Sequence, residues 1–405
     1  MKEENFSSSI KSTTESDKPN SSHLACDKLQ SRWQDVVKRR SFLKGISIAG
    51  ATLTAGALMG KQLRAQTTSS SRRLSKDDAA LLRFAAAAEL IEADLWQQYN
   101  ELGGVEGGNP AYMAALSNLD GDMPQYIADN TDDELSHAAF LNAYLVSRGA
   151  EPVDLDAFRT LPSSQATGAK NTGRLTNLLK LNVDLSWYTR YRSGKNPDLG
   201  AHLEGPFKIE SQPAIPISDT DTPPNTVIPS ASDQTPGSSF TGDAARMQAI
   251  ANTAGFHFAF IEQGGASLYP TLAFKARDPE VLRILVSIGG VEIDHFGLWH
   301  DKGGNAVNQP LALVTDPITG LTFPDLNARN SELDQTNLIL PEPCQFISKD
   351  LPRCSVIRPT TTRNGGAVAT IKAFTDDLLF LGQTPAFFSL VNQLAAEADS
   401  VRGGF

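Results

Sequence analysis

The chain has 405 residues, of which 40% are hydrophobic, 20% charged and 7% aromatic, with a formal net charge of −10. That length gives about two domains' worth of chain and enough of it to bury a core without disulfide support. The charge is uneven: residues 1–65 carry 11 Lys/Arg against 6 Asp/Glu, and the remainder 25 against 40. So acidic a body excludes nucleic-acid binding by phosphate neutralisation and a basic membrane-surface patch.

Residues 1–38 are polar and serine-rich and read as disordered. Arg39-Arg40-Ser41-Phe42-Leu43-Lys44 then precedes a weakly apolar run, Gly45 to Gly60, which ends near Lys61 and Ala65-Gln66. This segment resembles the twin-arginine signal of bacterial exported proteins, with Lys38 where Ser or Thr is usual. The run falls short of the ~20 apolar residues that span a bilayer, so no membrane span is expected after processing. The resemblance implies export to the periplasm or beyond, with any cofactor inserted before transport. In that oxidising setting Cys344 and Cys354, ten residues apart, are expected to form a loop disulfide.

Beyond the presequence (1–65), four long segments carry helical periodicity: about Ser75–Leu102, Met123–Arg148, Asp243–Lys275 and Asp278–Asp301. Ser75-Lys76-Asp77-Asp78 opens the first as a capping box does, and Gly149 stops the second. Asp278-Pro279-Glu280 sets a cap, a first-turn proline and an acid at the start of the fourth. Between the two pairs lies a crossover insertion, 150–242, with one further expected helix, Thr172–Arg192, and a Pro/Ser/Thr-rich stretch over 196–240. An irregular C-terminal extension, 302–405, closes with helical patterns near Ala367–Gly382 and Thr384–Arg402. The fold class is mostly α, with the bundle spanning 75–301.

Each long helix carries an acid inside its apolar seam. In the first, Leu81, Ala85, Ala88, Glu92, Leu95 and Tyr99 share a face. In the second, Ile127 and Asn130 lead to Glu134 and His137. In the third, Phe258 precedes Glu262, and in the fourth, Ile288 precedes Glu292 and His295. The order Glu, then Glu-x-x-His, thus occurs twice, and Glu92 and Glu262 each precede a tyrosine by seven, Tyr99 and Tyr269. Glu89, one turn before Glu92, belongs to a second seam with Leu82 and Trp96. Glu92 is favoured because only it repeats the tyrosine spacing.

Four buried glutamates and two histidines would each cost several kcal/mol if left unpaired. Two divalent cations cancel that charge. A Glu and a His three apart share one helix face and can serve one ion. Oxygen and imidazole donors suit iron or manganese better than thiolate-type zinc or calcium sites. His257 and His300 point elsewhere on their helices and read as core histidines, and His202 sits in the insertion. Gly264-Gly265 permits close helix approach or a local distortion beside the site.

This pattern resembles the ferritin-like superfamily, and within it the exported ferritin-like proteins related to desiccation-response proteins. The resemblance covers about Ser75–Gly149 and Asp243–Asp301, a four-helix bundle with a long crossover. It implies a carboxylate-bridged pair of metal ions, iron first and manganese second. Glu92 and Glu262 would be terminal ligands and Glu134 and Glu292 bridging ones. His137 and His295 would give one nitrogen per metal, and Tyr99 and Tyr269 would donate to carboxylates. The implied activity is reaction with dioxygen or peroxide, of ferroxidase or peroxidase type. The alternatives are a stress-related, metal-sequestering envelope protein without catalysis, and a metal-free helical scaffold. Oligomeric state is open, a homo-oligomer included.

Overall fold

The computed structural model describes residues 73–183, 208–231, 240–305, 311–325, 341, 343–344, 347–348, 350–356 and 361–403, all within the compact unit Ser69–Phe405. The expected signal region, 1–65, and residues 196–207 and 232–239 of the insertion lie outside the described residues.

The chain is mostly helical. Helix α1, Lys76–Gly103, starts where the Ser75 side chain accepts from the Asp78 amide at 3.0 Å, with Asp77 and Asp78 facing the positive end of the helix dipole. Helix α2, Pro110–Ser117, was not expected from the sequence, yet its signal is there: Asn109 caps the Tyr112 amide at 3.1 Å and Pro110 takes the first turn. Helix α3, Met123–Ser147, ends before Gly149, whose φ of +70° suits glycine at a helix stop. Helices α4, Gly242–Ala273, and α5, Pro279–Asn305, follow the crossover.

Helix α1 packs along α3, and α4 along α5, while α2 rests on α4. The α4–α5 contact is close enough to require glycine at 289, where a Cβ would lie 2.6 Å from Cβ of Tyr269. Helices α1 and α4 are buried on nearly every face, so a run such as Ala85–Ala88 lies wholly inside the core. An aromatic layer of Trp96, Phe258 and Trp299 fills the interior, with ring centroids 4.6–5.2 Å apart.

The crossover differs from expectation. Residues 172–180 form bends and an isolated bridge, not a helix, and lead into β1, Leu181–Val183, which pairs antiparallel with β2, Ile209–Gln212, while the rest of the expected helix, 184–192, lies outside the described residues. The backbone donors there go to partners a helix could not supply. Asp94 of α1 accepts from the amides of Leu175 at 3.0 Å and Thr176 at 2.9 Å, and Leu379 accepts from Asn177 at 2.7 Å. Arg159 closes the Asp94 site at 2.6 Å, so this part of the insertion is anchored to α1. Arg246 of α4, itself buried, ties Asp316 at 2.5 Å and Asp221 at 3.2 Å to the same core.

In the C-terminal extension a short α6, Thr362–Gly365, precedes α7, Ala367–Asp376, and α8, Pro385–Ser400. Helix α7 stops earlier than its periodicity suggests because Leu378 adopts φ +65°. Helix α8 packs against α1. The expected disulfide is not formed: Cys344 is buried and Cys354 exposed, and no bond joins them.

Candidate metal centre

Four helices deliver side chains to one buried volume. Helix α1 contributes Glu89, α3 contributes Glu134 and His137, α4 contributes Glu262, and α5 contributes Glu292 and His295. They form two groups, Glu89–Glu134–His137–Glu292 and Glu134–Glu262–Glu292–His295. Within each group one donor atom per residue lies within 4.8 Å of the others. Glu134 and Glu292, the two acids of the Glu-x-x-His pairs, belong to both groups.

Both imidazoles turn Nδ1 toward the acids. Nδ1 of His137 lies 3.2 Å from Glu134, 3.3 Å from Glu89 and 3.5 Å from Glu292. Nδ1 of His295 lies 3.1 Å from Glu134 and 3.2 Å from Glu262. The two rings are 6.5 Å apart between centroids. Three-residue spacing on a helix explains this geometry, because it stacks Glu and His on one face a turn apart.

A shell of polar side chains holds the acids. Asn130 donates through Nδ2 to Glu134 at 2.8 Å and to Glu262 at 2.9 Å, and its own Oδ1 accepts from the Trp299 indole at 2.6 Å. Tyr269 donates its hydroxyl to Oε1 of Glu89. Asp133 sits 3.1 Å from Nε2 of His295. Even so, Oε2 of Glu89 and both carboxylate oxygens of Glu292 are buried with no hydrogen bond. Buried carboxylate oxygens are normally satisfied, and here the nearest positive group is the His137 imidazole, 3.3 Å from Oε2 of Glu89 and 3.5 Å from Oε1 of Glu292, so the three atoms are suited to a cation.

The electrostatics say the same. Burial pushes Glu89 up to about 7, against the pull of His137. Burial also raises Glu262 and Glu292, the latter further through repulsion by Glu134 and Glu89. Burial would raise Glu134 too, but hydrogen bonds from His137 and His295 outweigh it and hold the carboxyl well below the usual carboxylate range. Burial would depress both imidazoles. The surrounding carboxylates, Glu89 first for His137 and Glu262 first for His295, lift them well above the ordinary value instead. Without metal, protons do part of the charge cancelling that cations would do.

Glu134, His137, Glu262, Glu292 and His295 therefore come together as the sequence predicts. The sixth place goes to Glu89, and Glu92 lies in neither group. Glu92 is buried beside the cluster, where burial and repulsion from Glu292, Glu134, Glu89 and Glu262 hold its carboxyl well above the usual carboxylate range. The tyrosine spacing that favours Glu92 does not reflect a shared role. Tyr269 binds Glu89, whereas the Tyr99 hydroxyl pairs with Nδ1 of the buried His257 at 2.6 Å. Aligning Glu89 with Glu262 sets Trp96, not Tyr99, opposite Tyr269. The sequence places Asn130 on the seam beside Glu134 and His137, but neither it nor Asp133 is assigned a role there. Asn130 shares its face with Glu134 one turn later, a polar residue at an apolar position, and that was its available signal.

Six oxygen and nitrogen donors with unsatisfied buried oxygens can hold metal, and the absence of thiolates among them fits hard or borderline cations such as iron and manganese. Among the described residues, no helix is long and apolar enough to cross a membrane. Comparison with protein-family models, curated proteins and solved structures returned no match.

Proposed function

We propose that this chain is an exported ferritin-like protein whose four-helix bundle binds two metal ions, iron or manganese, and reacts them with dioxygen or peroxide. The observation that carries the reading is the sharing of Glu134 and Glu292 between two ligand groups, with three carboxylate oxygens buried without a hydrogen bond. Two groups that share two carboxylates are what a bridged metal pair requires. A redox-active pair would supply the electrons for reduction of an oxygen species.

The chain's own residues do the rest. Glu89, Glu134, Glu262 and Glu292 would each give oxygen, and His137 and His295 would each give Nδ1. Asn130 orients Glu134 and Glu262, and Tyr269 holds a proton against Oε1 of Glu89. Burial of Glu89, Glu134 and Glu292 keeps bulk water off their carboxylates. Export is read from Arg39-Arg40 and the apolar run that follows.

The depth of the site also favours a second reading, metal sequestration without turnover, because its glutamates are almost completely enclosed. One experiment addresses both. Protein from iron- and manganese-supplemented cells is expected to carry close to two ions, lost when Glu134 and Glu292 are both replaced by alanine. Repeated oxygen or peroxide consumption by iron-loaded protein supports catalysis, and a single stoichiometric oxidation supports sequestration. A folded, metal-free wild type overturns both.

A further inference from the structure

Helix α5 carries two apolar seams. The one through Leu285, Ile288, Glu292, His295 and Trp299 faces the core. Val286, Gly290, Ile293 and Gly297 repeat the same four-then-three spacing on the opposite side. That side faces solvent: Val286 is 59% exposed, Gly290 and Gly297 are exposed, and Ile293 is half-buried. An apolar groove of about 490 Å³ runs between it and the end of α4, where Pro270, Ala273 and Phe274 form the other wall. Phe274 is itself 58% exposed.

Packing within the chain does not call for glycine at 290 or 297. A Cβ at either position would meet no atom within 4 Å, whereas at 289 it would strike Tyr269 and at 265 Glu292. Glycine is less favourable than alanine inside a helix, so on this face it carries a cost that nothing in the chain offsets.

The seam is complementary to itself. When two copies of α5 lie antiparallel about a twofold axis, the register that sets Val286 against Gly297 also sets Ile293 against Gly290. A large side chain then meets a glycine at every step, and the two backbones can approach to about 8 Å. Arg283 and Asp301 are eighteen residues apart, about five turns, and so lie on one flank of the seam. In the same register Arg283 of each copy comes level with Asp301 of the other. Arg283 is exposed and, among the described residues, has no ion pair. Asp294, also exposed on that flank, comes near Ser287, so like charges do not meet.

We propose that the outer face of α5 is a self-association surface, on which two copies of this chain pair antiparallel through Val286, Gly290, Ile293 and Gly297, with Arg283–Asp301 ion pairs at both ends. The paired face is opposite Glu292 and His295, so the proposal stands apart from the metal reading. A lipid surface fits less well, because a body with 25 Lys/Arg against 40 Asp/Glu is repelled by an anionic bilayer.

The test is sedimentation equilibrium of the full chain from about 1 to about 50 µM, in about 0.15 M salt. Wild type is expected to reach twice the mass of one chain. Gly290→Leu fills the hollow that receives Ile293, and Val286→Glu sets a charge against Gly297. Each is expected to raise the dimer Kd about tenfold or more while keeping the helical circular dichroism of wild type, which separates loss of pairing from loss of fold. Arg283→Asp is expected to weaken pairing about tenfold, and Arg283→Asp combined with Asp301→Arg to recover most of it, a rescue that apolar burial alone does not predict. Wild type that stays monomeric throughout overturns the proposal. A dimer that Gly290→Leu and Val286→Glu both leave intact overturns it as well, since the interface then lies elsewhere. A monomer that floats with phosphatidylglycerol vesicles, and stops doing so on Val286→Glu, overturns it in favour of a lipid surface. Metal content of the same samples reports separately on the dimetal reading.

Discussion

A Cβ on Gly265 would lie 2.0 Å from Oε2 of Glu292, so the carboxylate common to both ligand groups occupies space that a side chain at 265 would fill. Gly265 stands three residues after Glu262 on α4, one turn further along the face that bears that ligand. Glycine inside a helix costs about 1 kcal/mol relative to alanine, and here the cost makes room for a ligand.

Gly265→Ala is therefore expected to separate stability from metal binding. The clashing atom is the end of a flexible side chain, so Glu292 swings away and the helix survives. Melting temperature of the metal-free protein holds or rises slightly, while affinity for both ions falls at least tenfold, about 1.4 kcal/mol. Calorimetric titration with Mn(II) and a thermal melt in chelator check this. Unchanged affinity would show that Glu292 does not need that space.

Glu89 and Glu92 make a second pair of variants. Glu89→Gln removes a donor of the His137 group and is expected to weaken one of the two ions at least tenfold. Glu92→Gln replaces a carboxyl that lies in neither group and whose ionisation burial and four neighbouring acids oppose, and both ions should bind within about threefold of wild type. Metal analysis after dialysis distinguishes them. The reverse pattern would return the ligand role to Glu92.

Why the sequence reads Glu92 first is instructive. Periodicity assigns a seam by asking which face of a helix is apolar, but α1 is buried all round, with Leu81, Leu82, Phe84 and Ala85 equally enclosed. When no face is polar, hydrophobic spacing cannot choose between residues three apart. The same signal works well on α3, where Asp133, Ser136 and Phe140 are exposed and the seam through Glu134, His137 and Leu141 is distinct. Helix existence and the two Glu-x-x-His pairs were legible for that reason. The crossover was not, because Asp94, some 80 residues away, captures the amides of Leu175 and Thr176. Long-range capture of backbone donors leaves no local pattern to read.

Metal and protons compete for the same oxygens, which fixes the direction of a pH effect. In the unfolded chain Glu89 releases its proton near 4.5, and in the fold near 7, chiefly through burial. Between those values the native state holds the extra proton, so metal-free stability falls as pH rises through the window, by on the order of 3 kcal/mol from this carboxyl. A bound cation replaces the proton and cancels that loss. The gap between melting temperatures with Mn(II) and with chelator should widen from pH 5 to pH 7, and Mn(II) affinity should rise over the same range. A gap that is constant or narrows would contradict proton–metal exchange at Glu89.

His257 titrates in the opposite sense. It is fully buried, and burial alone pushes its imidazole down to about 3, so the native state holds it neutral, paired with the Tyr99 hydroxyl. The unfolded chain takes up a proton near 6.5 and the native state does so only near 3, so stability is lost as pH falls through that interval, at about 1.4 kcal/mol per unit. His257→Gln keeps a hydrogen-bonding partner for Tyr99 and removes the titration. Its metal-free melting temperature at neutral pH should lie below wild type, because glutamine fills the aromatic site less well. The deficit should shrink steadily from pH 6.5 to pH 4.5, where the glutamates of the cluster affect both proteins alike. Parallel acid limbs in the two proteins would mean that His257 accepts a proton without unfolding, and that the Tyr99 pair opens to solvent before the core does.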